Sequence, residues 1–502
     1  MKHSLFSWYM KQRLHRIRHI RMYPGEVQQE WFHSLIRQAE RTEFGRQNNF
    51  QGIKSIEAFQ SSIPVSTYES FYPWIQKVLE GKKDVLWPGP VHWFAKSSGT
   101  TNDKSKFIPV SRESLQDGHF RAGKDLFAQY FENNPGSRMA EGKNLVIGGS
   151  HEVNRLNAHS RYGDLSAVLI ENLPFLYSLF RTPSKKLTLM GEWEKKIEAI
   201  AHAVKDLPIS SMTGVPTWLL VLFDKLFEIK GIKSRNLREV WPKLEVFFHG
   251  AVAFGPYRKQ FQQLIPGSNM HYMETYNASE GFFAFQDDLG SEDLLLLLDH
   301  GIFYEFIPVE QAEEAFPKAY TLDQVETGKN YAMVISTNGG LWRYMIGDTI
   351  RFTQVNPFKI LITGRTKHFI NAFGEELIME NAERAIAEAC KASGAIIRNY
   401  TAGPVYSSEQ EKGAHEWIFE FVQAPASVPE FMRILDDTLK TLNSDYAAKR
   451  YLDMAMQFPR VQVVKEGCFY SWMKKRDKLG GQHKVPRLSN HRQYIDELLS
   501  EQ

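Results

Sequence analysis

The sequence predicts an α/β protein in two parts: a large N-terminal domain of α/β layers and a smaller α+β C-terminal domain. Three observations predict it. The chain has 502 residues, of which 43% are hydrophobic and 13% aromatic, enough for more than one core. Between 140 and 270, short apolar runs that end in glycine alternate with amphipathic stretches, the mark of layered α/β structure. Beyond 330 the pattern turns to β-type segments, then to a polar break, then to mixed helix and strand.

The elements follow in order. Residues 25–85 read as mainly helical, with Ser66-Thr67-Tyr68-Glu69 opening one helix through a hydroxyl cap. Val91 to Ala95 is a β-like run, and Ser111 to Phe131 carries helical periodicity. Asn144 to Gly149 reads as a buried strand, and Trp193 to Val204 as an amphipathic helix. Leu207 to Gly214 is a strand turning into Pro216, which suits the first turn of a helix over Thr217 to Phe227. Leu244 to Ala251 is a strand running into a glycine turn, followed by a helix over 256–264. Tyr331 to Ser336 and Leu341 to Ile346 form a hairpin around Asn338-Gly339. Thr349 to Phe352 and Lys359 to Ile362 are further strands, and Thr363 to Lys367 is the polar break. Beyond it the pattern gives a helix over 377–391, strands near 396–401 and 416–422, a helix over 427–442 and a strand near 460–464. The expected domains are therefore 1–362 and 369–502, joined by 363–368.

Composition narrows the function. The net charge of +3 gives no reason to expect nucleic acid or a membrane surface as partner. Cys390 and Cys468 form no C-x-x-C pair and suit free thiols in a reducing compartment. No run approaches the ~18 apolar residues of a membrane span. The first 24 residues carry Lys2, Lys11, Arg13, Arg16, Arg18 and Arg21 without an apolar core. They read as a solvated amphipathic helix rather than a secretory signal, so a cytoplasmic protein is expected.

Five polar segments carry candidate chemistry. In Ser97-Ser98-Gly99-Thr100-Thr101, hydroxyls flank a glycine, and Lys104, Lys106 and Pro109 follow. Such a loop can surround a polyphosphate through amides, hydroxyls and a lysine; it can equally be a solvated turn. The spacings G-x-x-x-x-G-K-[ST] and G-x-G-x-x-G are absent. Tyr276-Asn277-Ala278-Ser279-Glu280 follows a strand-like segment, and its carboxylate reads as a solvated strand end or as a ligand for a divalent cation. Asp348, closing Tyr344-Met345-Ile346-Gly347-Asp348, reads as a turn aspartate or as the acceptor for both hydroxyls of a ribose. Arg343 reads equally as a surface strand residue and as a phosphate contact. His249-Gly250-Ala251 is a small-residue turn, which fits close packing or a flat ring laid on the backbone. Gln482-His483-Lys484-Val485-Pro486-Arg487 is a stiffened basic loop, either solvated or able to set a point charge on an anionic transition state.

Taken together and in this order, these motifs resemble the auxin-responsive Gretchen Hagen family of acyl-acid amido synthetases. That family belongs to the adenylate-forming superfamily with acyl-CoA synthetases and luciferases. The resemblance rests on Ser97 to Thr101 with Lys106 and Pro109, on Tyr276 to Glu280, on Tyr344 to Asp348 and on Gln482 to Arg487, and it spans essentially the whole chain. It implies a large N-terminal adenylate-forming domain, with α/β layers and a β-barrel-like part, and a smaller mobile C-terminal cap. It implies ATP and Mg2+ as cofactors. Ser97, Ser98, Gly99, Thr100 and Thr101 would hold the phosphates, with Lys106 beside them. Gly250 and Ala251 would lie against adenine, and Tyr276 would stack on it or close its pocket. Ser279 and Arg365 would join the ATP-binding set, and Glu280 would bind magnesium. Asp348 would hold the ribose, Lys484 would act on the α-phosphate, and Gly364-Arg365-Thr366-Lys367 looks like the inter-domain hinge. Two departures stand out: Asn102 replaces the usual glycine, and Lys367-His368 replaces the wider superfamily's Lys-Asp.

The implied reaction activates a carboxylic acid as acyl-AMP, releases pyrophosphate and passes the acyl group to an amine, chiefly that of an amino acid. Transfer to coenzyme A, or nucleotide sensing without turnover, are the alternatives. Tyr162, Val215 and Trp218 are candidates for the acyl pocket, though any of them can equally be core.

Overall fold

An eleven-stranded sheet dominates the computed structural model. The structure describes residues 8–97, 106–148, 153–252, 254–312, 314–365, 369–407, 412–476 and 485–500. Among them the chain divides into two compact units. The first comprises the segments before 98, from 106 to 251 and from 262 to 365; the second comprises 252–261 and the segments after 367.

The large sheet belongs to the first unit. Its parallel half contains Arg181–Thr182, Lys143–Val146, Ile209–Gly214, Val246–His249 and His271–Ala278, in that spatial order. Its antiparallel half continues with Gly281–Phe285, Leu294–Leu296, Phe358–Arg365, Tyr344–Val355, Asn330–Thr337 and Ile302–Pro308. The strand His271–Ala278 is the seam, with a parallel neighbour on one side and an antiparallel one on the other. The strands Val246–His249 and Ile302–Pro308 are buried along their whole length, and their sequences are apolar apart from His249 and Glu305. Helices Trp193–Val204 and Pro216–Lys230 connect parallel strands, and Pro216 stands in the first turn as expected. A second, four-stranded sheet carries the antiparallel pair Trp93–Ser97 and Lys106–Val110.

The second unit pairs Ile396–Val405, Ala414–Gln423 and Arg460–Val464 in one sheet with helices Met379–Ser393 and Val428–Leu442. Ile418, Phe469, Trp472 and Ile495 sit in one of its apolar clusters.

Four local expectations change. The N-terminal helix Leu14–Met22 is not simply solvated. Arg13, just before it, grips the buried Asp125 at 2.8 Å, and Arg16 and Arg21 reach Asp299 at 3.1 Å and Asp287 at 2.7 Å. Its basic residues are used to dock it on buried carboxylates. Leu341 to Ile346 and Thr349 to Phe352 are not separate strands. One strand, Tyr344–Val355, runs through both, and the hairpin turn before it uses Gly340 at φ 91°. Gly347, at φ 92°, lies inside that strand, in the irregular stretch between Met345 and Thr349 where the register against Asn330–Thr337 shifts between Ala332 and Val334. The expected polar break begins late, because the strand Phe358–Arg365 continues through Thr363 and Gly364.

Arg343 is neither a surface residue nor a phosphate contact. It is 4% exposed and bonds the buried Glu305 through two nitrogens, each at 3.0 Å. It also donates to the carbonyls of Gln60 and Ile63. A fork-shaped cation suits such a buried junction. No helix among the described residues is long and apolar enough to cross a membrane.

Candidate active site

The candidate residues of the first unit come from strand ends and tight turns. The strands Ile209–Gly214, Val246–His249 and His271–Ala278 run parallel, so their carboxyl ends share one edge of the sheet. That edge is where open α/β sheets hold ligands. It carries Gly214-Val215, Gly250-Ala251 and Ser279-Glu280.

Ser97 and Lys106 face each other as the last rung of the antiparallel pair Trp93–Ser97 and Lys106–Val110. Lys106 therefore stands at the mouth of the loop they close. Ser98, Gly99, Thr100 and Thr101 lie outside the described residues. The Lys106 ammonium is 5.6 Å from the centre of the Tyr68 ring.

Ser279 and Glu280 are the two residues of a tight hairpin, since Ala278 pairs with Gly281. Glu280 is half-buried. Burial lifts its carboxyl from the ordinary 4.5 to about 7, and the Asp348 charge adds to the lift. The charges of Lys106 and Arg365 oppose it without cancelling it. The turn thus presents a carboxylate short of positive charge.

Asp348 is 8% exposed and both its oxygens are engaged. Tyr276 donates its hydroxyl to Oδ2 at 2.7 Å, and Arg365 donates Nε to Oδ1 at 2.7 Å. Asp348 and Arg365 are register partners on neighbouring strands, and Tyr276 reaches in from the seam strand. The Tyr276 ring is buried and tilted against Phe283, with centroids 5.0 Å apart. Burial and the Asp348 charge push its phenol well above its ordinary range, so it is a donor at neutral pH.

Gly250 is required by packing. A Cβ there would stand 2.5 Å from the Thr275 carbonyl oxygen on the seam strand. Ala251 has a left-handed backbone at φ 70°. Tyr162 pairs beside Phe94 and packs edge-on to Phe107 at 5.3 Å. Val215 caps the helix Pro216–Lys230, and Trp218 lies in its first turn. Lys484, Thr366 and Lys367 lie outside the described residues.

Two tyrosines join this site that the sequence did not nominate as site residues. Tyr344 is fully buried, its phenol senses the Glu280 charge, and its hydroxyl has no hydrogen-bond partner among the described residues. Its place in the Tyr-x-x-Gly-Asp motif was the available signal. Tyr68 carried no such signal, being legible only as the start of a capped helix. Among the described residues no group of three or more His, Cys, Asp or Glu forms a ready metal cage. A cation held here by Glu280 needs its other ligands from elsewhere, which suits one carried on a triphosphate. The charge-poor carboxylate of Glu280 fits that arrangement.

Known proteins agree with this architecture. Residues 13–270 match the GH3 family N-terminal domain, 295–365 the central domain and 380–493 the C-terminal domain. Among curated relatives, the indole-3-acetic acid-amido synthetase GH3.4 of Arabidopsis thaliana is 23% identical over 557 residues, covering 92% of this chain and 89% of that protein. Among solved structures, the GH3.15 acyl acid amido synthetase superposes with a TM-score of 0.63 at 16% identity, covering 98% of this chain and 96% of that one. A 2-hydroxyisobutyryl-CoA ligase, solved with an acyl-AMP and CoA, shares the fold at a TM-score of 0.57 and 13% identity, covering 95% and 91%. The fold is thus the one used by adenylate-forming enzymes, and the chain belongs to the GH3 family.

Proposed function

We propose that the protein is an ATP-dependent acyl-acid amido synthetase, an AMP-forming ligase that activates a small carboxylic acid and joins it to an amine, chiefly that of an amino acid. One observation carries the reading. Asp348, Arg365 and Tyr276 form one hydrogen-bonded group, and Glu280 and Lys106 are close enough for their charges to interact. That set offers a diol acceptor, a cation ligand and a phosphate charge in one unit.

In the first step the acid's carboxylate attacks the α-phosphorus of ATP, forming acyl-AMP and expelling pyrophosphate. Two anions must approach, so positive charge has to be fixed in advance. The loop from Ser97 to Thr101 is assigned to the leaving phosphates, with Lys106 at its mouth. Asp348 accepts from the ribose hydroxyls, and Arg365 holds it in place. Gly250 and Ala251 leave open backbone for adenine. Glu280 would hold a Mg2+ ion brought with the triphosphate, and that ion would supply charge neutralisation at the phosphates. Lys484 supplies charge at the α-phosphate. In the second step the amine attacks the acyl carbonyl and AMP departs. Tyr162, Val215 and Trp218 are assigned to the acyl side. The segment 363–368 is assigned as the hinge between 1–362 and a cap of 369–502, and the division of the chain after 366 supports that assignment.

Carboxylate-dependent ATP–pyrophosphate exchange tests the adenylation step. A panel of acids that yields no exchange with folded, ATP-binding protein would sink it. Product analysis with amino acids against coenzyme A then separates an amide from a thioester. In the same assay Lys484→Ala is expected to lose exchange while keeping ATP binding.

A further inference from the structure

We propose that Tyr68 is a positioning residue that holds Lys106 at the mouth of the phosphate loop, so that its charge is in place before pyrophosphate begins to leave. The inference rests on the adenylation reading above and adds a residue to it.

Tyr68 comes from the first turn of the helix Tyr68–Leu79. It is 6% exposed and far in sequence from the loop it serves. Two contacts link it to the start of the strand Lys106–Val110. The Phe107 backbone N–H donates to the Tyr68 hydroxyl at 2.9 Å. The Lys106 ammonium lies 5.6 Å from the centre of the same ring. The first contact fixes the backbone next to Lys106. The second offers the ring's negative face to the ammonium. A lysine otherwise carries its charge on a flexible stem, and a point charge helps a transition state only where it stays put.

Tyr68 is itself held firmly. Thr67 and Ser70 form a reciprocal cap at the helix start. Ser66, just before, bonds the backbone of the other site strand on both sides of Tyr344: its N–H donates to the Arg343 carbonyl at 2.9 Å, and its carbonyl accepts from Met345 at 2.8 Å. The helix start therefore ties the strand that bears Asp348 to the strand that bears Lys106. Burial pushes the Tyr68 phenol up to about 12, so it stays neutral and does not compete with the phosphates for the lysine.

A core tyrosine with no role toward Lys106 would show itself in melting temperature alone. The test therefore compares full-length parent, Tyr68→Phe and Tyr68→Leu by three readouts: thermal melting, calorimetric binding of AMP and of a non-hydrolysable ATP analogue with Mg2+, and pyrophosphate exchange. Tyr68→Leu is expected to bind the triphosphate on the order of tenfold more weakly, with AMP affinity unchanged. Tyr68→Phe keeps the ring and loses the acceptor for Phe107, so about a threefold loss is expected. In a Lys106→Met background neither change should weaken triphosphate binding further. Equal losses for AMP and triphosphate, no loss for either, or full additivity with Lys106→Met would overturn the proposal. Should Tyr68→Leu fail to fold, Tyr68→Phe carries the comparison. A parent that binds nucleotide but exchanges no pyrophosphate would overturn the adenylation reading instead, leaving the binding comparison to decide on Tyr68.

Discussion

Replacing Glu280 by glutamine should make the empty protein more stable at alkaline pH. In the folded chain the carboxyl titrates at about 7 rather than its ordinary 4.5, chiefly because burial penalises its charge. Each unit of that gap corresponds to ~1.4 kcal/mol, so ionising Glu280 costs the folded state about 3 kcal/mol more than the unfolded chain. The side chain is half-buried, and solvent screening reduces the figure to about 2 kcal/mol. The sign follows from proton uptake. Below the unfolded value both states hold the proton and nothing is lost. Stability falls as pH rises from 4.5 through 7, and the loss is complete above that. Glu280→Gln keeps the shape of the protonated acid at every pH. Denaturant melts without nucleotide should therefore show the variant more stable by about 2 kcal/mol near pH 8.5 and equal to the parent near pH 4. The same variant should lose Mg2+-dependent pyrophosphate exchange. A stability difference that does not change with pH, or a variant weaker than its parent at alkaline pH, would refute the reasoning.

Two further outcomes are expected. Asp348→Ala should weaken ATP and AMP alike by only about threefold, since the ribose is common to both and the carboxylate already has donors; calorimetry with each nucleotide checks this. Arg343→Ala should cost about 3–5 kcal/mol in urea denaturation, because it strands the buried Glu305, whereas the double change Arg343→Met with Glu305→Leu should recover most of the loss.

Elements with strong local periodicity were legible in the sequence. The helix Trp193–Val204 has the bounds the pattern gave, and Val428–Leu442 differs by one residue at its start. Glu280 was legible as a motif member because its neighbours, Ser279 and Gly281, mark a turn, whereas Tyr276 and Asp348, both inside strands, were legible only through the motifs that contain them. Arg343 was not, since its partner Glu305 lies on another strand, 38 residues away. The N-terminal arginines misled for the same reason: Asp125, Asp287 and Asp299 are more than a hundred residues distant. Gly347-Asp348 imitated a turn, yet the strand passes through it. Tyr68 was hidden because hydrogen bonding to a backbone N–H leaves no mark on spacing or composition.

The pairing of Asp348 with Tyr276 and Arg365 bears on turnover. Both carboxylate oxygens already have donors when no nucleotide is bound. On the proposed assignment, a ribose that enters would share or exchange those donors rather than rescue a stranded charge, so the net gain at this end of the nucleotide would be small. AMP, once pyrophosphate had gone, would keep only that weakly rewarded end and the adenine pocket. Such an empty site would let the last product leave readily, and nucleotide affinity would be concentrated where ATP differs from AMP.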